Sequence, residues 1–156
     1  MKKSLVVYFS ASGETKKAAM QLANFIHADV EEMIPEIKYS NADLNWRDKN
    51  SRSSQEMMDE NSRPKLKKMQ YNPQNYDLIF IGYPIWWGVE PRIIDTYIEQ
   101  HDLSNKKIFL FATSGGSPIQ QSIHHLQRKY PSLDIQDGIL LNFGIDKRKI
   151  QEWIKE

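Results

Sequence analysis

Three short stretches of the chain combine hydroxyls, glycines and aromatic rings in an order that suits a flat, phosphorylated ligand. The first is Ser10-Ala11-Ser12-Gly13-Glu14-Thr15, where hydroxyls at the first, third and sixth positions flank one glycine just ahead of a helical pattern. Amides left unpaired at a helix N-terminus, joined by such hydroxyls, form a nest that takes an anion, typically a phosphate. The same residues would serve equally as an ordinary Ser/Thr helix cap, worth about 1 kcal/mol. The second stretch is Tyr83-Pro84-Ile85-Trp86-Trp87-Gly88-Val89-Glu90-Pro91, which sets two of the four tryptophans side by side. Its prolines stiffen the backbone and Gly88 supplies a peptide able to turn over. It reads either as a rigid apolar wall or as one tryptophan plugging the core beside another that caps a helix. The third, Thr113-Ser114-Gly115-Gly116-Ser117-Pro118, lets main-chain amides approach a planar ligand and meet ring-edge heteroatoms.

The elements that must position these stretches follow from the hydrophobic pattern. Leu5 to Phe9, Leu78 to Ile81, Ile108 to Ala112 and Ile139 to Leu141 are short apolar runs without polar alternation. Such runs are strands covered on both faces, as in a parallel sheet flanked by helices. A fifth run, Ala28 to Ile34, carries Glu31 and Glu32 and suits a sheet edge. Between the runs the period changes. Ala19, Leu22, Ala23 and Ile26 share a helical face from about Glu14 to His27; Ile94, Tyr97 and Ile98 share one after Pro91; Ile119, Ile123, Leu126 and Tyr130 share one after Pro118; and Ile150, Trp153 and Ile154 close the chain. The alternation predicts an α/β fold with an open, doubly wound sheet in a single domain, 1–156. Residues 35–75 form a long decorated connection between strands two and three, with a helix expected over Asp43 to Glu60 and a basic tether over Arg63 to Lys68.

Ligands of open α/β sheets bind beyond the carboxyl ends of the strands, which is where all three stretches fall. A phosphate nest, an aromatic wall and a hydrogen-bonding rim together fit a ligand with one terminal phosphate, a short polar chain and a large flat heterocycle. Flavin mononucleotide, FMN, is the obvious candidate. Ser10-x-Ser12-Gly13-x-Thr15, Gly82-Tyr83-Pro84-Ile85-Trp86-Trp87-Gly88 and Thr113-Ser114-Gly115-Gly116-Ser117 also resemble the flavodoxin family. The nearest resemblance is to a bacterial flavodoxin-like branch with a Pro-Ile-Trp-Trp-Gly loop, and Ser51-Arg52-Ser53-Ser54-x-Glu56-Met57 and Arg63-Pro64 look like that branch as well. The resemblance implies a flavodoxin-like three-layer sandwich, five parallel strands in the order 2-1-3-4-5, and non-covalent FMN. It places Ser10, Ser12, Gly13 and Thr15 on the phosphate with the amides of Ala11 and Glu14 beside them. Pro84, Ile85, Trp86, Trp87 and Gly88 would line the isoalloxazine. Thr113, Ser114, Gly115, Gly116 and Ser117 would meet its pyrimidine edge and the ribityl chain. Gly88 is similar in position to the glycine whose carbonyl, in flavodoxins, turns toward the flavin N5 when a semiquinone forms.

Composition narrows the chemistry further. The 156 residues hold no cysteine, which excludes disulfides, zinc fingers, iron–sulfur clusters and thiol nucleophiles. A net charge of +1 gives no broad basic field for a nucleic-acid backbone. The apolar run after Met1 is too short for a signal-peptide core or a membrane span, so a cytoplasmic protein is expected. No Gly-x-Gly-x-x-Gly follows the first strand and no Gly-x-x-x-x-Gly-Lys occurs. His124 and His125 lack metal-site spacing and read as surface or packing residues. Two redox functions fit. One is an electron carrier working through FMN with no catalytic side chain of its own. The other is an NAD(P)H-dependent FMN reductase acting on a quinone-like acceptor. Compact length favours the carrier. A near-zero charge, where carriers are typically acidic, and a third loop without an aromatic favour the enzyme. The partner would be a redox protein or a small-molecule acceptor, and the chain a monomer or homodimer, with Trp46, Tyr71 or a second subunit available to cover the flavin.

Overall fold

The computed structural model describes residues 2–142 and 144–155. Five parallel strands form one sheet in the order β2-β1-β3-β4-β5. They are β1 (Ser4–Tyr8), β2 (Asp29–Glu32), β3 (Leu78–Pro84), β4 (Lys107–Thr113) and β5 (Asp134–Leu140). The helices are α1 (Glu14–Ile26), α2 (Arg52–Met58), α3 (Arg92–Gln100), α4 (Gln120–Lys129) and α5 (Lys147–Trp153). The α/β class and the strand order expected from the sequence are both present, with the Glu-rich β2 at the edge. None of the described helices is long and apolar enough to cross a membrane.

The apolar runs are continuous because each strand feeds two cores. Leu5, Val7, Ile79, Ile81, Tyr83 and Leu110 pack with Ile94, Tyr97, Ile123 and Leu126 of α3 and α4. Their neighbours Val6, Tyr8, Phe80, Phe109 and Phe111 pack with Ala19 and Leu22 of α1 and with Ile150 of α5. Alternate residues leave a strand on opposite faces, so a sheet buried on both sides admits no polar alternation. Each fully buried large apolar side chain stabilises the fold by about 1.5–3 kcal/mol. At one point a ring from the neighbouring strand leaves no room for a side chain, since Gly82 of β3 is paired with Phe111 of β4. A Cβ on Gly82 would lie 2.1 Å from the Phe111 ring, so the glycine opening the second ligand stretch serves packing.

The connection from 35 to 75 departs from its expected helix. Of the expected span 43–60 only Arg52–Met58 is helical, and a 3-10 turn over Pro73–Asn75 precedes β3. Ahead of it, Asn45 accepts from the Arg47 amide and Asp48 from the Asn50 amide, side-chain turns that compete with helix formation. Ser51 then accepts from the Ser54 amide and starts α2. The basic stretch does more than tether: Leu66 bridges antiparallel to Pro35, and the Lys67 amide donates to Ile34 O at 2.8 Å. Glu31 of the edge strand accepts from the amides of Gln70 and Tyr71. Buried Arg92 donates to Met57 O at 2.8 Å and to Glu56 O at 3.2 Å, holding the end of α2 against α3.

Candidate functional site

β1, β3 and β4 are adjacent in the sheet, so the loops that follow them converge at its carboxyl edge. The first loop turns through Gly13, whose φ is +96°, and enters α1 with a glycine, and so no side chain, at the N-cap position. Ser10 Oγ accepts from the Gly13 amide at 3.2 Å and the Lys16 amide at 3.1 Å, and so bends the loop over the start of the helix. Ser12 and Glu14 are exposed, and the first-turn amides of α1 have no intrahelical acceptor. Thr15 lies inward. Its hydroxyl is 2.7 Å from that of Thr113, and this buried bond ties the first loop to the third.

In the second loop, Trp86 and Val89 exchange backbone hydrogen bonds at 2.9 and 3.1 Å around Trp87 and Gly88. Both central residues have positive φ, +51° and +83°, which makes this a type I′ turn. The two tryptophans part here. Trp86 packs edge-on against Phe9 and Tyr39, with ring centroids 5.6 and 5.7 Å away. Trp87 stands out from the turn, 49% exposed. Turning over the 87–88 peptide would leave Trp87 in a backbone region that glycine alone occupies readily, so Trp87 restrains the mobility expected at Gly88. Just past the turn, Arg92 reaches the α2 carbonyls, and Glu90 pairs with His125.

The third loop is held from behind. Ser114 Oγ accepts from the amides of Gly116 and Ser117, at 3.1 and 2.7 Å. Asn142, just after β5, accepts from the Ser114 amide at 2.7 Å and donates to Ser114 O at 2.8 Å. A Cβ on Gly115 or Gly116 would meet no protein atom within 4 Å, so the space before this loop is open.

Two cavities sharing Ile85, Trp86, Ser114 and Gly115 run along the edge. One, of about 390 Å³, reaches from Ser12 and Glu14 to Pro84, Thr113 and Asn142. The other, of about 610 Å³, lies between Trp87, Gly116 and Ser117 and the connection residues Leu44, Trp46 and Ser53. The first is the more polar of the two and bordered by a helix N-terminus; the second is flanked by indoles and main-chain amides. That donor set fits a ligand with an anionic end and a flat apolar end. Of the connection aromatics, Trp46 reaches the cavity, whereas Tyr71 packs edge-on with Tyr76 at 6.4 Å, near the opposite end of the strands.

Several residues that shape the site carry no sequence signal. Asn142 stands outside every motif. Tyr39 supports Trp86 from within the connection, held by a 2.5 Å bond to Glu56 and by Arg52, whose guanidinium lies 3.7 Å from its ring centre. Burial and the Glu56 carboxylate push the Tyr39 hydroxyl well above its ordinary pKa, so it stays a neutral donor. The Ser51–Met57 motif is therefore the footing of the aromatic wall. Among the described residues, no group of three or more His, Cys, Asp or Glu side chains could hold a metal ion.

The fold defines a doubly wound α/β protein whose loops after β1, β3 and β4 gather at the carboxyl edge of the central strands. The Flavodoxin family profile matches residues 3–156, and the chain belongs to that family. It is similar to a candidate flavoprotein of Bacteroides eggerthii, with 46% identity, TM-score 0.95, and 99% of this chain and 96% of that one covered. It is also similar to a flavoprotein of Lactobacillus acidophilus solved in complex with FMN, with 25% identity, TM-score 0.80, and 99% and 100% covered. Among curated proteins it is 30% identical over 153 residues to the flavodoxin-like domain-containing protein BilS of Clostridioides difficile, covering 98% of this chain and 70% of that protein.

Proposed function

We propose that the chain is a single-domain FMN-binding redox protein that transfers electrons through non-covalent FMN, of the branch marked by the Pro-Ile-Trp-Trp-Gly loop. The paired cavity carries this reading, more polar at the α1 N-terminus and flanked by both indoles at the far end. The FMN complex of the Lactobacillus relative supports it. FMN, when bound, supplies reversible uptake of one or two electrons; the chain supplies binding and orientation. The α1 amides with Ser12 would hold the phosphate. Thr15 and Thr113 would fix the separation of the loops that receive the ribityl chain. The amides of Ser114 to Ser117 would meet the ring edge, while Trp87 stacks and excludes water. Trp86, braced by Phe9 and Tyr39, forms the rigid floor.

The reductase reading draws support from the larger cavity, whose rim includes Trp46, 65% exposed, and Trp87, and so leaves a face that a nicotinamide or quinone could reach. The partner is then a small-molecule acceptor rather than a redox protein. One sequence of measurements separates the readings. Flavin absorbance in the purified protein, or quenching of added FMN fluorescence, is required by both. A one-electron stage that persists during stepwise reduction supports the carrier, and rapid NAD(P)H turnover with a quinone supports the reductase.

A further inference from the structure

Behind the Trp86–Val89 turn lies a group of buried ionisable side chains to which electron transfer assigns no role. Glu90, the first residue past the turn, and Asp95 of α3 are both 0% exposed. His125 of α4 places Nδ1 3.0 and 3.1 Å from the two Glu90 carboxyl oxygens. Its Nε2 lies 3.8 Å from Glu60, which is open to solvent. One helical turn earlier on α4, Gln121 sits so close to Gly88 that a Cβ there would be 2.7 Å from Gln121 Oε1. Residues four apart share a helix face. One face of α4 therefore touches the loop at Gly88 and again at Glu90.

We propose that Glu90 and His125 are positioning residues for the flavin turn: a proton held between them clamps α4 against residues 88–90, and its loss loosens the turn. The inference rests on reading the 86–89 turn as part of an FMN site. Every element packed around the pair contributes a group. β3 supplies Tyr83, whose hydroxyl is 2.7 Å from Ser122 Oγ. α3 supplies Asp95, and α4 supplies Lys129, 3.3 Å from Asp95 Oδ1. The Tyr130 hydroxyl lies 2.8 Å from Asp95 Oδ1 and 2.7 Å from Glu99 Oε2, so its one proton is shared between them, and Glu99 is paired with Arg63. Arg92 is spent on the α2 carbonyls. Lys129 and Tyr130 thus serve Asp95, and His125 is the one cationic partner that Glu90 has among these groups.

Asp95 Oδ2 is buried without a hydrogen-bond partner, and a proton on Glu90 would provide its donor. Burial pushes the Glu90 carboxyl up to about 7; hydrogen bonding to His125 opposes this, and the charge of Asp95 adds to it. Glu90 in turn raises the His125 imidazole, against its own partial burial. Near neutrality the pair keeps a proton. At higher pH it becomes a dry carboxylate beside a neutral ring and within reach of Asp95, which disfavours close packing of α4 on the loop.

The test is FMN affinity, read by fluorescence quenching from pH 6.5 to 9, in the natural protein and in Glu90→Gln, His125→Gln and Glu60→Gln. The FMN phosphate titrates near pH 6 in all of them, so the comparison is between profiles. The natural protein should lose about tenfold in affinity over this range, the equivalent of one pKa unit of differential proton binding. Glu90→Gln should be flat, His125→Gln should keep a slope displaced to higher pH because the buried Glu90 still titrates without its partner, and Glu60→Gln, at the solvent end, should keep the natural slope. A slope that survives in Glu90→Gln, or a flat natural profile, overturns the proposal. In flavin-free protein, the NMR signals of the Gly88 amide and the Gln121 side-chain amide should shift with the His125 titration. If they do not, the clamp is refuted even where a variant fails to fold. If they do and FMN binds at no pH, the flavin reading has failed and the clamp stands.

Discussion

The two adjacent tryptophans have different environments, and substitution should separate them. Trp86 is wedged between Phe9 and Tyr39, so Trp86→Ala opens a cavity and should cost about 3 kcal/mol in chemical denaturation. Trp87 is half exposed with φ of +51°, a backbone state that costs a bulky residue about 1 kcal/mol or more. Trp87→Gly should therefore leave stability unchanged or raise it by up to about 1 kcal/mol, while FMN affinity falls about tenfold, the order of one stacking contact. Equal effects at the two positions would refute the assignment of Trp87 to the ligand and Trp86 to the floor. Gly88 has φ of +83° and Gln121 against its α-carbon, so Gly88→Ala should destabilise by about 2 kcal/mol, measured the same way. None of this is visible in the string Trp-Trp-Gly. Which indole turns inward depends on Phe9 and Tyr39, and Tyr39 lies 47 positions away from Trp86 in the chain.

At the scale of elements, the site is three loops that the sheet order brings together and cross-braces then fix. The Thr15–Thr113 hydroxyl pair joins the first loop to the third, and Asn142 clamps the third to the end of β5. Asn142→Ala removes both hydrogen bonds to Ser114 and should cost about 1–2 kcal/mol. Amide exchange at Gly115 and Gly116 should quicken, and FMN affinity should fall severalfold. Unchanged exchange would show that the Ser114 turn holds the loop unaided. The alternating apolar runs and helical periods were legible as elements, and so were the three loops. The connection was legible only in part. Its side-chain turns at Asn45 and Asp48 shortened the expected helix to Arg52–Met58. The value of that short helix lies in what it anchors, Tyr39 through Glu56 and Arg52, a long-range contact with no periodic trace.

For the whole molecule, charge is the governing quantity. Glu90 and His125 are both raised in the folded state: the Glu90 contribution is fully present below about pH 4.5 and is lost as pH rises through about 7, and the His125 contribution is present below the ordinary imidazole range and is lost as pH rises beyond it. Glu99, held low by Arg63, works in the opposite direction and loses its contribution as pH falls below the ordinary carboxylate range. Unfolding midpoints in urea should therefore peak near about pH 5 and decline toward pH 8; a maximum above pH 7 would contradict the burial of Glu90. With a net charge of +1, electron exchange with a charged redox partner should change only about two- to threefold between 50 and 500 mM salt, because no strong field exists to be screened. A steep salt dependence in stopped-flow kinetics would point to a local charged docking patch. The fold class, the positions of the three motif loops and the absence of thiol chemistry could be read from the chain alone, because period, turn residues and composition are local properties. It took the packed molecule to show which tryptophan is wedged against the core and which stands out at the rim, that Asn142 and Tyr39 brace the loops, and that Glu90 meets His125. Those outcomes depend on contacts between residues far apart in the chain, and burial of charge is a property of the packed molecule.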